Sequence, residues 1–540
     1  MNEAALLLML LPLIGALFCL FVRFLPRLPL APAAAGCTVC SMIALLAWLR
    51  PRVSCGLALT YAMGGWAEPL GIQLHLDGLA WSSSAMIAWI ALAAVLFALG
   101  EARCQSDFYF FLLLLVGGMQ GVVLTGDLFN MFVFIEIFSI ASFILIAYQG
   151  KPAGLLASLR YLLLSGASTS FFLIGVFLVY SQTGSLALHL IPDYRQGHAA
   201  PVLHLAAAAL CIGVGLKAAF VPLHAWLPSA HAAAPHPVSA MLSGVTIKIS
   251  FLAVWRLIAA LGTESFHALF VWIGPATALL GVTFALSQTD GKRLLAWSSI
   301  SQMGLILASY GAGRAAGLNA SLAHMFSHAL FKSLLFLSVG AVIHLGGGRE
   351  VQSGAGRNPQ PWLLLFFLIG ALSIAGMPPL IGFLSKGLVG SAVKGSALVA
   401  WSLRLTAAGT AASMIKLSAL FGARGRDRAQ PGPRLPLFCM AALALLAASC
   451  LASGVFPGRF SRLLLLPALG SAAEMRGYDI GSVVEALLTA AAGFLIYLLI
   501  RRRRASLILA WLGSRRLPLQ ASVVLLILSF LGFAAFGLLS

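Results

Sequence analysis

Apolar residues run along this chain in blocks of about twenty, parted by brief intervals that carry charges and turn residues. About twenty residues is the length a helix needs to cross the roughly 30 Å apolar core of a bilayer. Setting each block between its flanking charges predicts spans near 4–24, 30–49, 77–99, 107–125, 127–148, 155–180, 201–223, 235–259, 267–287, 294–312, 319–345, 361–388, 398–422, 434–455, 479–500 and 519–539. The single charge of Asp127 parts the fourth from the fifth, so the pattern accommodates about 14–16 spans. Segments such as Phe110–Val116 and Met131–Tyr148 have almost no polar face, which excludes a large soluble helical protein. Period-two alternation, which a membrane barrel needs, is absent. The expected fold is all-α, a polytopic membrane protein without a soluble domain, because the longest polar intervals, 188–200 and 422–436, are loop-sized. The run 4–24 leads at once into further spans and reads as the first of them, not as a cleaved leader.

Composition agrees: 61% of residues are hydrophobic and 9% charged. The net charge of +19 would suit nucleic acid if it formed one patch, but the basic residues sort by side of the membrane. With the amino terminus outside, the cytoplasmic side receives Arg23, Arg27, Lys151, Lys292, Arg293, Arg349, Arg357, Arg424, Arg426, Arg428, Arg434, Arg501–Arg504, Arg515 and Arg516. The opposite side receives fewer, Arg50, Arg52, Arg195, Arg314, Lys394, Arg459, Arg462 and Arg476. Both termini are therefore expected on the outer side of a bacterial-type plasma membrane, with the lipid bilayer and not nucleic acid as the surrounding partner. RRRRASLILAWLGSRR reads either as a basic interfacial stretch against anionic headgroups or as a solvated loop.

Cofactor and metal motifs are not apparent. Cys37 and Cys40 in GCTVC have no second pair to complete a four-ligand site, and GAGRAAG lies in a turn between spans, not after a strand. No cofactor and no metal are expected.

The informative charges are those inside the spans. Of fifteen acidic residues only Glu136, in GDLFNMFVFIEIFSIASF, falls mid-run, where burial is costly. Only eight of thirty-four basic residues are lysine, yet Lys217, Lys248, Lys332, Lys386 and Lys416 all fall within predicted spans. Lysine can exchange its proton when desolvated and arginine effectively cannot, so buried lysines suit a proton path. Snorkelling would account for Lys386 or Lys416 near span ends, less easily for Lys217 with Lys248. His324, His328 and Lys332 follow at i, i+4 and i+8 and stack along one helix face over about 12 Å. Such a ladder can pass protons through water, or its polar groups can glue helices together. Zinc on the two histidines is disfavoured, since no HExxH glutamate is present and Lys332 would repel the ion.

An internal echo appears. Lys217 precedes Lys248 by 31 residues and Lys386 precedes Lys416 by 30, with one lysine of each pair beside a proline break, in VGLKAAFVPLHAWLPSAH and AGMPPLIGFLSK. Paired broken spans at matching places point to a hydrated transport site.

From about Gly65 to Phe421 the chain resembles the antiporter-like membrane subunits shared by respiratory complex I, membrane-bound hydrogenases and Mrp-type multisubunit sodium/proton antiporters. The resemblance rests on GWAEPLGIQLHLDGLA, VVLTGDLFNMFVFIEI, KAAFVPLHAWLPSAHAAAPHPVSAMLSGVTIKIS, DGKRLLAWSSISQMG, HMFSHALFKSLLFL and SIAGMPPLIGFLSK. TGDLFNMFVFIE looks most like the D-type Mrp protein. The resemblance implies three leading helices (1–106), two inverted five-helix repeats (107–259 and 260–422) with broken helices 7 and 12, and further helices with a basic loop (423–540). It also implies that Glu136 pairs with Lys217, that Lys248 leads inward, that His324, His328 and Lys332 supply the polar groups of span 11, and that Lys386 reaches the far side.

The expected function is ion translocation, of protons alone or of protons against sodium, by a redox-silent subunit. Its expected partners are other membrane subunits, with a redox module among the candidates. Loosening the Glu136–Lys217 pair would send the lysine's proton through Lys248 and the histidines toward Lys386. A stand-alone secondary transporter is the alternative; a quinone-reducing enzyme in its own right fits less well, because no flavin, haem or quinone motif is apparent.

Overall fold

The computed structural model describes residues 3–24, 30–54, 58–101, 103–194, 200–313, 315–351, 361–421, 434–470, 478–515 and 517–539. Arg27, Arg195, Arg314, Arg357, Arg424, Arg426, Arg428, Arg476 and Arg516, used above to orient the chain, lie outside the described residues.

The chain is a helical bundle. In order come α1 (Glu3–Val22), α2 (Leu30–Ser54), a hairpin of β1 (Leu59–Ala62) and β2 (Gln73–Leu76), α3 (Gly78–Leu99), α4 (Ser106–Leu124), α5 (Leu128–Ala147) and α6 (Pro152–Thr183). There follow α7 (Ala200–Ala218), α8 (Leu227–Ala233), α9 (His236–Leu261), α10 (Phe266–Ser287), α11 (Gly291–Gly311) and α12 (Ala315–His344). The remainder is α13 (Pro361–Ala375), α14 (Ile381–Ala392), α15 (Ala397–Ser418), α16 (Leu437–Val455), α17 (Ile480–Ile500), α18 (Arg503–Ser514) and α19 (Leu519–Leu539). Fourteen helices among the described residues are long and apolar enough to cross a membrane. The other two predicted spans are present in altered form. One is α11, whose apolar run is diluted by Ser298, Ser299, Ser301, Gln302 and Ser309; the other is split into α13 and α14.

Local chemistry accounts for the boundaries. The Asp127 carboxylate accepts the Asn130 N–H at 2.7 Å, so one residue starts α5 directly after α4. Asp77 caps α3 and Asp290 caps α11 in the same way. α10 and α11 pack almost backbone to backbone: a Cβ at Gly274 or Gly281 would sit 2.4 or 2.5 Å from the backbone nitrogen of Ala308 or Ser301.

The hydropathy pattern does not foresee the hairpin, nor the helical stretch over Pro457–Leu469. β1 and β2 pair antiparallel with Leu59 opposite Leu76 and Thr60 opposite His75. Gly126 N–H donates to the Gln73 carbonyl at 2.8 Å, and Leu188 N–H to the Gly126 carbonyl at 2.7 Å, so the hairpin, the α4–α5 link and the segment after α6 are sewn together. Four residues per strand is too short for the pattern to register.

α12 occupies the centre, packed against α9, α11, α13, α14 and α16. α17 packs on α15 and α19 on α7, and α18 crosses α10 between them, so the stretch read as interfacial is an amphipathic helix with Leu507, Ile508 and Trp511 exposed.

Candidate functional site

Two helices break at membrane depth. α7 ends at Ala218, Ala219 adopts a left-handed φ of +56°, and helical geometry resumes at Leu227. Breaking a helix inside a bundle orphans backbone groups, and here side chains satisfy them: Trp226 Nε1 donates to the Leu216 carbonyl at 2.7 Å, and Val221 N–H donates to Thr277 Oγ1 at 3.2 Å. Trp226 is fixed by stacking on Tyr161, with ring centroids 3.8 Å apart. The second break, between Ala375 and Ile381, turns on Gly376 at φ +83°. A third irregularity, a single π-helical turn over Leu242–Thr246, lies inside α9 directly before Lys248. Such turns recur at functional positions.

Lys217 stands at the rim of the first break, fully buried, and donates to Ser168 Oγ at 3.4 Å and Thr169 Oγ1 at 3.3 Å on α6. Glu136 does not touch it. Instead the Thr169 hydroxyl lies 2.9 Å from Glu136 Oε1 and 2.6 Å from the Ser165 carbonyl, so one threonine bridges carboxylate and ammonium. Its single proton serves one acceptor at a time. Thr169 therefore stands between Glu136 and Lys217. Glu136 itself is half-buried, in line with the exposed Phe129, Val133, Ile140 and Ile144 of α5.

The other candidates gather around α12. Lys248 is fully buried and donates to the Ser243 carbonyl inside the π turn; the Ser243 and Ser299 hydroxyls lie 2.7 Å apart. Lys332 is fully buried and donates to the Leu295 carbonyl at 2.9 Å and to Ser298 Oγ on α11. His324 bonds Ser385 Oγ through Nδ1 at 3.1 Å and Gln302 through Nε2 at 3.2 Å, tying α12 to α14 and α11. His328 lies between, its ring near-parallel to that of His324 at 6.2 Å, with neither nitrogen hydrogen-bonded to a described residue. His328 is within electrostatic reach of Lys248, Lys332, His324 and Lys386. Lys386, half-buried on α14, reaches back across the second break to the Ile374 carbonyl.

The structure thus brings Glu136 to Lys217 through Thr169, and Lys248, His324, His328, Lys332 and Lys386 to one another. Lys416 stands apart: half-buried on α15, it donates to the Leu286 carbonyl of α10 at 2.6 Å, and no hydrogen bond or ion pair joins it to the rest. No carboxylate among the described residues lies within 4.0 Å of any of the five lysines.

Several members are not foreseen by the sequence. His231 of α8 is fully buried, stacked on Phe336 with centroids 4.7 Å apart, both nitrogens without a described partner, and within electrostatic reach of Lys248, Lys292 and Lys332. In the sequence it is only part of a proline-broken stretch. Lys292, read as a loop charge, is buried in the first turn of α11 with its ammonium 2.5 Å from the Ala234 carbonyl. It faces Glu101, just past α3, whose carboxyl burial pushes up to about 7 against the opposing pull of Lys292. Arg256, inside a predicted span, donates from Nη2 to both carboxylate oxygens of Asp77 at 3.0 and 3.2 Å and from Nη1 to the Val123 carbonyl.

Buried lysines and histidines threaded between two broken helices define an ion-translocating membrane protein. Residues 125–411 match the family model described as NADH:quinone oxidoreductase/Mrp antiporter, transmembrane, and the chain belongs to that family. It is 37% identical over 341 residues to NADH-quinone oxidoreductase subunit N of Desulforudis audaxviator, covering 60% of this chain and 67% of that one. It is 32% identical over 338 residues to Hydrogenase-4 component B of Escherichia coli, covering 58% of this chain and 50% of that one. Among solved structures, a chain of the membrane-bound sulfane sulfur reductase, an archaeal respiratory membrane complex, superposes with a TM-score of 0.78 at 28% identity over 91% of this chain and 99% of that one. A chain of the Mrp complex from Dietzia sp. superposes with a TM-score of 0.79 at 25% identity over 90% of this chain and 100% of that one.

Proposed function

We propose that this chain is the proton-translocating membrane subunit of a multisubunit complex, driven by a neighbouring redox module or by an existing ion gradient. The observation that carries the reading is that Lys217, Lys248 and Lys332 are fully buried with only hydroxyl and carbonyl partners. A lysine in mid-membrane costs roughly 2.5–3.5 kcal/mol, so three cost about 8–10 kcal/mol, comparable to the net stability of a whole domain. Stability alone would not retain them. Hydroxyls and carbonyls accept from an amine as well as from an ammonium, so each site tolerates both states of a group that must load and unload a proton.

The path we infer enters beside Glu101 and Lys292, passes His231 to Lys248 and Lys332, and continues through His328 and His324 to Lys386. Lys416, bonded near the end of α10, is a side branch at the end of the bundle where Lys292 lies. The nitrogens of His231 and His328 without protein partners suit bridging waters, which buried polar groups need. Lys217 is the control point, set by Glu136 through Thr169, and it releases its proton into this path at Lys248. Segments 107–259 and 260–422 act as two inverted repeats, each with one break and one lysine at it.

The subunit reading rests on Glu136. An ionisable group nine residues into a twenty-residue span, half-exposed on an otherwise apolar face, calls for a covering neighbour. Both termini face outward from a bacterial-type plasma membrane, in keeping with Lys151, Arg293, Arg349 and Arg501 at the opposite end. Sodium/proton exchange by such a complex and proton pumping beside a redox module use the same path. Co-purification in mild detergent separates them: hydrogenase or quinone-reductase subunits against small antiporter subunits.

Reconstitution of the purified single chain in liposomes with a pH-sensitive dye tests the proposal. Little or no ion exchange and no redox activity with nicotinamide or quinone are expected from the chain alone, with transport appearing when its partners are included. Robust coupled transport by the chain alone would favour an independent transporter.

A further inference from the structure

Glu68 in the loop of the hairpin, His75 in β2 and His189 in the link after α6 meet at the end of the bundle opposite Lys151. One ligand atom from each lies within 4.8 Å of the other two. His189 Nε2 and Glu68 Oε2 are 2.6 Å apart, and the His75 and His189 ring centroids 5.3 Å. Neither is a loose surface encounter. The Glu68 side chain is only 10% exposed, and His75 Nε2 is buried without a hydrogen-bond partner among the described residues. His189, at 44%, leaves a way in.

The backbone fixes the arrangement. His75 is held in β2 opposite Thr60, and His189 follows Leu188, which is bonded to Gly126. Gly126 is required there, because a Cβ on it would lie 2.3 Å from His75 Cδ2 and 2.7 Å from Nε2. The surrounding charge favours a cation: Asp127 faces Glu68, and the one nearby cation among the described residues, Arg256, is engaged by Asp77.

We propose that Glu68, His75 and His189 form a binding site for a divalent transition-metal ion of the zinc class, stapling the hairpin to the link after α6. Two imidazoles and one carboxylate make a three-ligand zinc set with an open fourth position. Ligand atoms about 2.0–2.2 Å from a tetrahedral metal lie roughly 3.3–3.6 Å apart, so closure needs side-chain shifts of about an ångström. The Glu68–His189 hydrogen bond gives way, and the proton on His189 Nε2 moves to Nδ1 so that the neutral ring can coordinate. No electron transfer is involved.

The probe is Co(II), titrated into the full chain purified in mild detergent with its co-purifying subunits after chelator treatment. One equivalent should give the visible absorption of low-coordinate cobalt, displaced by zinc. The band should vanish in His75→Ala and His189→Ala, weaken at least tenfold in affinity in Glu68→Gln, and persist in His344→Ala. Absence of saturable binding in the wild type, or an unchanged band in both histidine variants, overturns the site. Should those variants fail to assemble, the zinc K-edge spectrum of the wild type decides: scattering from two imidazoles is expected, and an all-oxygen shell refutes the assignment.

Discussion

The two helix breaks carry similar sequence, a lysine beside prolines, yet are built differently. At the first, Trp226 and Thr277 close the freed backbone groups, and Lys217 is wholly enclosed with two hydroxyls as partners. At the second, Lys386 itself spans the gap to the Ile374 carbonyl and is half-buried, while Tyr478 donates to the Pro379 carbonyl at 3.2 Å. A lysine held by rotatable hydroxyls can be influenced by whatever else those hydroxyls touch. One held by a fixed carbonyl reports only on its own break. On the proposed path the first break is therefore the control point and the second the terminus.

The largest expected effect comes from removing what sets the first break. Glu136→Ala in the assembled complex should reduce ion-linked activity to background while membrane insertion, followed by expression and protease mapping, is unimpaired, because deleting a charge eases insertion. Full pumping or antiport by that variant would sink the asymmetry between the breaks.

Thr169→Val should come next, with a loss of roughly tenfold, since it removes the bridging hydroxyl and leaves a buried partner unsatisfied, about 1.4 kcal/mol. Thr169→Ser should restore most of the rate. The pH profile of translocation should shift in the valine variant and return with serine, a response that mere packing would not give.

Lys416→Ala should cost less, about two- to fivefold. An effect equal to that of Lys386→Ala would make Lys416 a full member of the path.

The smallest effect is on stability. Glu101 binds its proton more tightly in the folded chain, near 7 against an ordinary 4.5, because burial penalises the carboxylate. Its stabilising contribution is therefore complete below about 4.5 and is lost as pH rises through about 7. Wild type and Glu101→Gln should melt alike at about pH 4, below the unfolded value, and the wild type a few degrees lower at about pH 8. Parallel melting across that range would contradict the assignment.

Much of this is legible in the sequence, for physical reasons. Hydropathy over twenty residues is a strong signal, so each predicted span coincides with a helix or a broken helix. Lysines in apolar runs are conspicuous, and the i, i+4, i+8 spacing of His324, His328 and Lys332 places them on one face of any helix. Thr169 is not legible, because a threonine in a span usually bonds its own helix, as it also does here to Ser165. His231 hides in a break whose path no periodicity describes. Lys292 misleads because a charge beside Asp290 and Arg293 reads as loop punctuation, whereas the link to α11 dips into the bundle. The four-residue strands that position His75 lie below the length at which alternation is visible.

The central claim is that Lys217 must load and release a proton, not merely supply a positive charge. Its most direct test is translocation by Lys217→Arg in the assembled complex, measured beside Lys217→Ala in proteoliposomes with matched assembly. Arginine keeps the charge and the contacts to Ser168 and Thr169 within reach but does not give up its proton. Loss of translocation as complete as in the alanine variant is predicted; transport at the wild-type rate would show that Lys217 is a fixed counter-charge and that protons travel elsewhere.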